Sequence, residues 1–129
     1  MKFKLISVEG GIHLTKSVNE RPTIRLQAWR VLAVEGLSHS THGVTHHFVG
    51  YDIDGGEGRA STAVQVFDPA TRKGRTESGR TYELLGKPGR DMDAQYVWNR
   101  WKKLNGTGPE TDVTERYLPV VPFPSRPLK

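Results

Sequence analysis

The stretch Thr23-Ile24-Arg25-Leu26-Gln27-Ala28-Trp29-Arg30-Val31-Leu32-Ala33-Val34 decides the fold class, because it supports two readings. Ile24, Leu26 and Ala28 alternate with Arg25, Gln27 and Trp29, and Val31 to Val34 is then continuously apolar, the pattern of a long strand entering a core. Ile24, Ala28, Val31 and Leu32 also fall at helical spacing, so periodicity alone leaves the choice open. The boundaries favour the strand. Asn19-Glu20-Arg21-Pro22 is a polar breaker before it, Gly36 closes it, and a second strand-like segment follows.

That neighbour runs from Val44 to Ile53 and puts His47, Val49, Tyr51 and Ile53 on one side, after a polar loop over residues 36–43. Asp54-Gly55-Gly56-Glu57-Gly58 is a turn, and Arg59 to Phe67 returns as a strand with Ala60, Thr62, Val64 and Val66 on one face until Asp68-Pro69 stops it. Thr71 to Gly79 reads as a glycine-punctuated hairpin tip or short edge strand, and Arg80 to Leu85 resumes strand character through Tyr82 and Leu84. Upstream, Phe3 and Leu5 alternate with Lys2 and Lys4, and Gly10-Gly11 turns the chain into a hairpin partner over Ile12 to Val18.

The strands give way to a helix expected over residues 92–104. Asp91 or Asp93 caps it, Ala94, Val97, Trp98, Trp101 and Leu104 form its apolar stripe, Lys102-Lys103 complement the dipole at its end, and Asn105-Gly106 stops it. From Thr107 the chain loses periodicity and carries five of the eight prolines. The order predicts a mainly β protein of α+β type: a strongly bent antiparallel sheet or small open barrel of about five to six strands, one C-terminal amphipathic helix and an extended Pro-rich tail. Residues 1–106 are expected to form a single β-rich domain and residues 107–129 the tail. Tyr117, Leu118, Val120, Val121 and Phe123 are too apolar for a free tail, so it is expected to dock on the domain or on a partner chain.

The chain of 129 residues has the usual size of one domain. It has no cysteine, which excludes disulfides, thiolate metal sites and cysteine nucleophiles and fits a reducing compartment. No apolar run approaches a signal peptide or the roughly 20 residues of a membrane span, so a cytoplasmic location without membrane association is expected. Charge is informative once it is located. Residues 1–70 balance seven Lys and Arg against seven Asp and Glu, whereas residues 71–103 hold nine against four, the whole net excess of +5. Such asymmetry suggests a basic face that meets nucleic acid or an acidic protein surface.

Four groups of residues are candidates for chemistry. His39, His42, His46 and His47 lie within nine residues; Gly43 and the β-branched Val44-Thr45 argue against a helix there, and on a strand His46 and His47 point to opposite faces, so these are weak metal candidates and no metal is assigned. Asp52, Asp54 and Glu57 surround a Gly-Gly turn, where acids are common for conformational reasons, and a histidine from 46–47 beside Asp52 would be needed for a nuclease-like pair. Gly55-Gly56-Glu57-Gly58-Arg59 lacks the ending and the following helix of a P-loop. Gly86-Lys87-Pro88-Gly89-Arg90 does precede a helix and could meet a phosphate, against the competing charges of Asp91 and Asp93.

The fourth group is the strongest: Arg72, Lys73, Arg75 and Arg80 on a glycine-rich hairpin, Tyr82 on the next strand, and Lys102 and Lys103 at the helix end, a pattern that can track a phosphate backbone. Trp98 and Trp101 are read as core instead. The run from Ser78-Gly79-Arg80-Thr81-Tyr82 through Gly86-Lys87-Pro88-Gly89 to Tyr96-Val97-Trp98 resembles a compact motif of small bacterial or phage proteins, and the resemblance carries no activity. The first expectation is therefore a non-enzymatic protein that binds nucleic acid or a nucleic-acid-handling complex, with no catalytic residue and no cofactor assigned. The second is a protein-interaction module or small inhibitor, of the sort phages and mobile elements encode, using a strand edge and the tail residues Tyr117, Leu118, Val121 and Phe123, with a homodimer as one form. The third is a metal-dependent hydrolase built on histidine and carboxylate groups.

Overall fold

The computed structural model describes residues 21–36 and 43–118. The hairpin read over residues 1–18 lies outside them, as do His39, His42, Val121 and Phe123. The elements are β1 (Thr23–Glu35), β2 (Val44–Asp52), β3 (Glu57–Ala60), β4 (Val64–Asp68), β5 (Lys73–Thr76), β6 (Thr81–Leu84), α1 (Met92–Asn105), β7 (Glu110–Asp112) and a 3₁₀ turn over Thr114–Tyr117. Among the described residues, no helix is long and apolar enough to cross a membrane.

The strands form one seven-stranded sheet in the order β3-β2-β1-β6-β5-β4, with β7 added beside β1. Two features depart from the expected antiparallel sheet. β1 and β6 run parallel, Ile24 opposite Tyr82 and Leu26 opposite Leu84, so the sheet is mixed. The strand read over Arg59 to Phe67 is two strands, parted at the buried Ser61: its N–H still donates to the Phe48 carbonyl, but its Oγ takes the place of its carbonyl as acceptor for the Phe48 N–H and donates to the Thr62 carbonyl, which ends the regular ladder. The sheet is not closed into a barrel, since β3 and β4 end it without pairing each other. It is strongly bent. β2 and β4 stand four strands apart, about 19 Å across a flat sheet, yet the Phe48 and Phe67 ring centroids are 6.1 Å apart.

β1 is the strand of the two readings, and its side chains serve two cores because of a bulge. Gln27 pairs with Tyr51 and Arg30 with Val49, so Ala28 and Trp29 together oppose Gly50. Ala28 takes a left-handed conformation with φ 47°. The extra residue reverses the alternation. Ile24 and Leu26 before the bulge, and Trp29, Val31 and Ala33 after it, all join Phe48, Tyr82, Leu84 and Val113 in one cluster, with Tyr117 and Leu118 packed against it. Simple alternation would have placed Ala28, not Trp29, on that face. Glycine is required at position 50, where a Cβ would stand 3.0 Å from Trp29 Cα and from the Gln27 carbonyl oxygen.

The opposite face of β1 presents Leu32 and Val34, which join Val49, Ala60, Ala94, Trp98 and Trp101 beneath α1. The helix lies where its sequence signals put it. Asp91 Oδ2 accepts the Ala94 N–H at 2.9 Å, and Gly106, at φ 59°, ends the helix in a left-handed cap. Its first turn rests directly on β3: a Cβ on Gly58 would come within 2.3 Å of Ala94 N and Asp93 C.

After α1 the chain returns to the sheet. Glu110 pairs with Val34 and Asp112 with Leu32, on the edge of β1 that β6 occupies further upstream. β6 covers residues 23–26 and β7 covers residues 32–34, leaving the middle of β1 without a strand on that side. Single hydrogen bonds from loops serve its backbone there. Gly89 N–H donates to the Trp29 carbonyl, Val113 N–H to the Val31 carbonyl, and Val31 N–H to Thr114 Oγ1.

Candidate functional site

On β5 the alternation places Lys73 and Arg75 outward and Gly74 and Thr76 inward. Gly74 lies over Phe48, whose Cζ would stand 2.6 Å from an added Cβ. Lys73 faces Asp68 on β4 and Glu83 on β6, and Glu83 in turn faces Arg25, which forms two hydrogen bonds of 2.7 and 3.0 Å to Asp54. Lys73 is thus one member of a row of alternating charge across the exposed sheet. Arg75 stands in the next row between Val66 and Thr81, with no carboxylate opposite it.

The other hairpin cations have structural partners. Arg72, in the turn between β4 and β5 with φ 62°, lies over the Trp29 ring at 5.7 Å and donates to the Gly86 carbonyl at 2.7 Å. Arg80 is 3% exposed and its Nε donates to the Arg21 carbonyl. Tyr82 is wholly buried, so it offers no stacking platform. Lys102 pairs with Glu110 and lies over the Trp98 ring. Lys103 is exposed at the end of the 14-residue helix, about 15 Å along its axis from the first turn.

The loop 85–91 gathers further cations around the hairpin. The Leu84 N–H donates to the Arg72 carbonyl, and the Gly86 carbonyl accepts from both Arg72 and the Trp29 indole N–H, so the Arg72 turn and the start of this loop lie side by side. Lys87 and Arg90 are exposed on the loop. Where β6 and β7 part, Arg30, Pro88, Gly89, Arg90, Asp112 and Thr114 line an open crevice of about 480 Å³. The Arg30 guanidinium hydrogen-bonds the neutral side chain of Gln95 on α1. Burial, and then the nearby Arg90 charge, lower its pKa.

No family model, curated protein or solved structure matches this chain.

His46 and His47 do point to opposite faces, and each is held within the fold. His47 is fully buried with its ring 4.5 Å from Trp101 and 5.6 Å from Trp98, themselves stacked at 5.0 Å. Its Nδ1 donates to the Ser61 carbonyl, which fixes Nε2 as acceptor for the Thr45 hydroxyl, and burial lowers its pKa to about 4. His46 Nδ1 lies 2.6 Å from the Tyr117 hydroxyl, and burial lowers its pKa too.

Asp52 is not beside either histidine. It lies six residues along β2 from His46, about 20 Å of strand, and its carboxylate is fully buried with Arg21 at 2.8 Å, Arg59 at 3.5 Å and the Gly55 N–H at 2.9 Å. Asp54 is paired with Arg25 and Glu57 faces Arg59 at 3.6 Å. Among the described residues, no three His, Asp or Glu side chains are grouped to hold a metal ion.

Two groups outside the core, half-buried Arg30 and exposed Tyr96, had no place among the sequence candidates. Arg30 appeared only as a position in an ambiguous alternation, and the bulge decides which face it takes. Tyr96, 61% exposed with Arg100 over its ring at 5.8 Å, was legible in principle, because it lies opposite the apolar stripe of α1.

Proposed function

We propose that the protein binds nucleic acid, or a partner as acidic, through the cations gathered around the loop 85–91, with Lys73, Arg75, Lys87 and Arg90 as phosphate contacts. The observation that carries this reading is the tie of the Arg72 turn to Gly86, which brings cations of the hairpin and of the pre-helix loop to one end of the sheet. Arg72 and Arg80 serve as scaffold in this reading. Lys102 is neutralised by Glu110, and Lys103 lies at the far end of the helix.

The test is a salt titration of binding to single- and double-stranded DNA and RNA. Log affinity should fall linearly with log salt, and the double variant Lys73→Glu/Arg75→Glu should make the slope shallower by about 1.4 to 1.8, two phosphate contacts' worth. Lys103→Glu should leave the slope nearly unchanged. Absence of binding at low salt, or an equal effect of Lys103→Glu, removes the assignment.

A second reading, a protein-interaction module, is favoured by β4, which among the described residues has a strand partner on one side only and exposes Val66 by 63%. A homodimer that pairs two such edges should sediment as a dimer and become a monomer on Val66→Lys. A monomer at every concentration removes it.

A further inference from the structure

The crevice between the loop 85–91 and β7 is created by topology. β6 stops before the bulge in β1 and β7 begins beyond it, so an edge otherwise closed by a strand is left as an opening with Arg30 and Arg90 among its walls. Openings at which neighbouring elements diverge are common ligand sites. What distinguishes this one is its charge. Two guanidinium groups line one crevice, and neither is within ion-pair distance of a carboxylate among the described residues; Arg30 holds only the neutral Gln95 amide. Asp112 is the one acidic lining residue, so two arginines stand against one carboxylate and the lining stays net positive, although the Asp112 and Glu110 charges partly offset the repulsion of Arg30 by Arg90. Two guanidinium groups that outnumber the carboxylate beside them repel each other, and their approach becomes favourable once an oxyanion accepts from both.

We infer that this crevice is a seat for a phosphate group, held by forked hydrogen bonds from Arg30 and Arg90. Arginine rather than lysine at both positions suits a tetrahedral oxyanion, which can accept two parallel N–H bonds from each fork. The phosphate has two sources: the terminal phosphate of a nucleic-acid strand, which rests on the proposed function above, or a phosphate carried by a small molecule.

The probe is inorganic phosphate, followed through the amide resonances of Gly89, Arg90 and Thr114 in the full chain. Saturable shifts at these amides are expected. Arg90→Gln, at an exposed position where folding is not at stake, should weaken them roughly tenfold, the loss of a charge-assisted bidentate contact, and Arg30→Gln should do the same. Lys103→Glu should leave phosphate binding intact. No saturable shift, or shifts that survive both arginine substitutions, overturns the inference.

The source is separated by a 5′-phosphorylated oligonucleotide and its unphosphorylated twin. Displacement of phosphate by the first alone supports a strand end in the crevice. Phosphate binding that neither oligonucleotide displaces supports the seat with a small-molecule source and leaves the proposed function to its own salt titration. Salt-dependent oligonucleotide binding in a protein that shows no saturable shift with inorganic phosphate overturns the seat and leaves that function standing.

Discussion

Asp52 shows how much a single side chain can hold in place. Its carboxylate is fully buried and faces two arginines, of which Arg59 is itself 1% exposed, donates from Nε to the Tyr82 hydroxyl and lies within reach of Glu57. Such a cluster gains little over an apolar core while it is intact, but losing one partner strands a charge where water cannot reach it. Asp52→Asn is expected to lower the unfolding free energy by about 3 to 5 kcal/mol, as read by urea denaturation. A change below about 1 kcal/mol would mean that Arg59 finds solvent or another partner.

His47 leads to a pH dependence at the same scale. Its pKa in the folded protein, about 4, is below the ordinary 6.5 because burial disfavours the imidazolium. Above pH 6.5 it is neutral whether folded or unfolded and contributes no slope. Between 6.5 and 4 the unfolded chain takes up a proton that the folded one refuses, so stability falls as pH falls through that window. In His47→Asn the decline from pH 6.5 to pH 4 should be shallower than in the parent, whatever the variant does to stability at neutral pH. Parallel curves would show that His47 is not the group responsible. Burial lowers the His46 pKa as well, so that residue contributes in the same direction.

At the scale of elements, the helix and the strands differ in how far they could be read. Residues 92–104 were expected to be helical and Met92–Asn105 are, because cap, stripe and stop signals all lie within the helix's own sequence. β1 was legible as a strand from its flanking breakers, but its bulge was not. That feature depends on Gly50, on another strand, making room for Trp29 and Gln27. The break at Ser61 and the parallel pairing of β6 were hidden for the same reason, being settled by partners distant in sequence. Helix and sheet meet most closely at Gly58, where a methyl group has no space against the backbone of Asp93 and Ala94. Gly58→Ala should therefore cost roughly 1 to 3 kcal/mol and weaken the docking of the first helical turn. Near-ultraviolet dichroism of Trp98 and Trp101, together with thermal unfolding, would report it; an unchanged melting temperature would mean that β3 can move away from the helix.

For the whole molecule, the located charge excess was a correct count of the basic residues but not a map of them. The structure engages Arg72 and Arg80 internally, sets Lys73 in register with acidic neighbours across the sheet, and brings Arg30 of β1 to the loop that carries Lys87 and Arg90. Nothing in the spacing of Arg30 and Arg90, sixty residues apart, announces that they share a crevice. β1 contributes to both cores, so the helix side and the opposite side share their central strand.

The parting of β6 and β7 along β1 also sets a line of mechanical weakness. Between residues 26 and 32 that edge of β1 is secured by isolated hydrogen bonds rather than by a continuous ladder, so β7 and the chain that follows it can peel away while the β6 pairing stays closed. In native-state hydrogen exchange the amides of Gly89, Val113 and β7 should open together, at a lower free energy than those of β6 and the first half of β1. A ligand bridging Arg30 on β1 and Arg90 on the loop 85–91 would fasten that loop to the strand, slowing exchange at Gly89 and uncoupling it from the opening of β7.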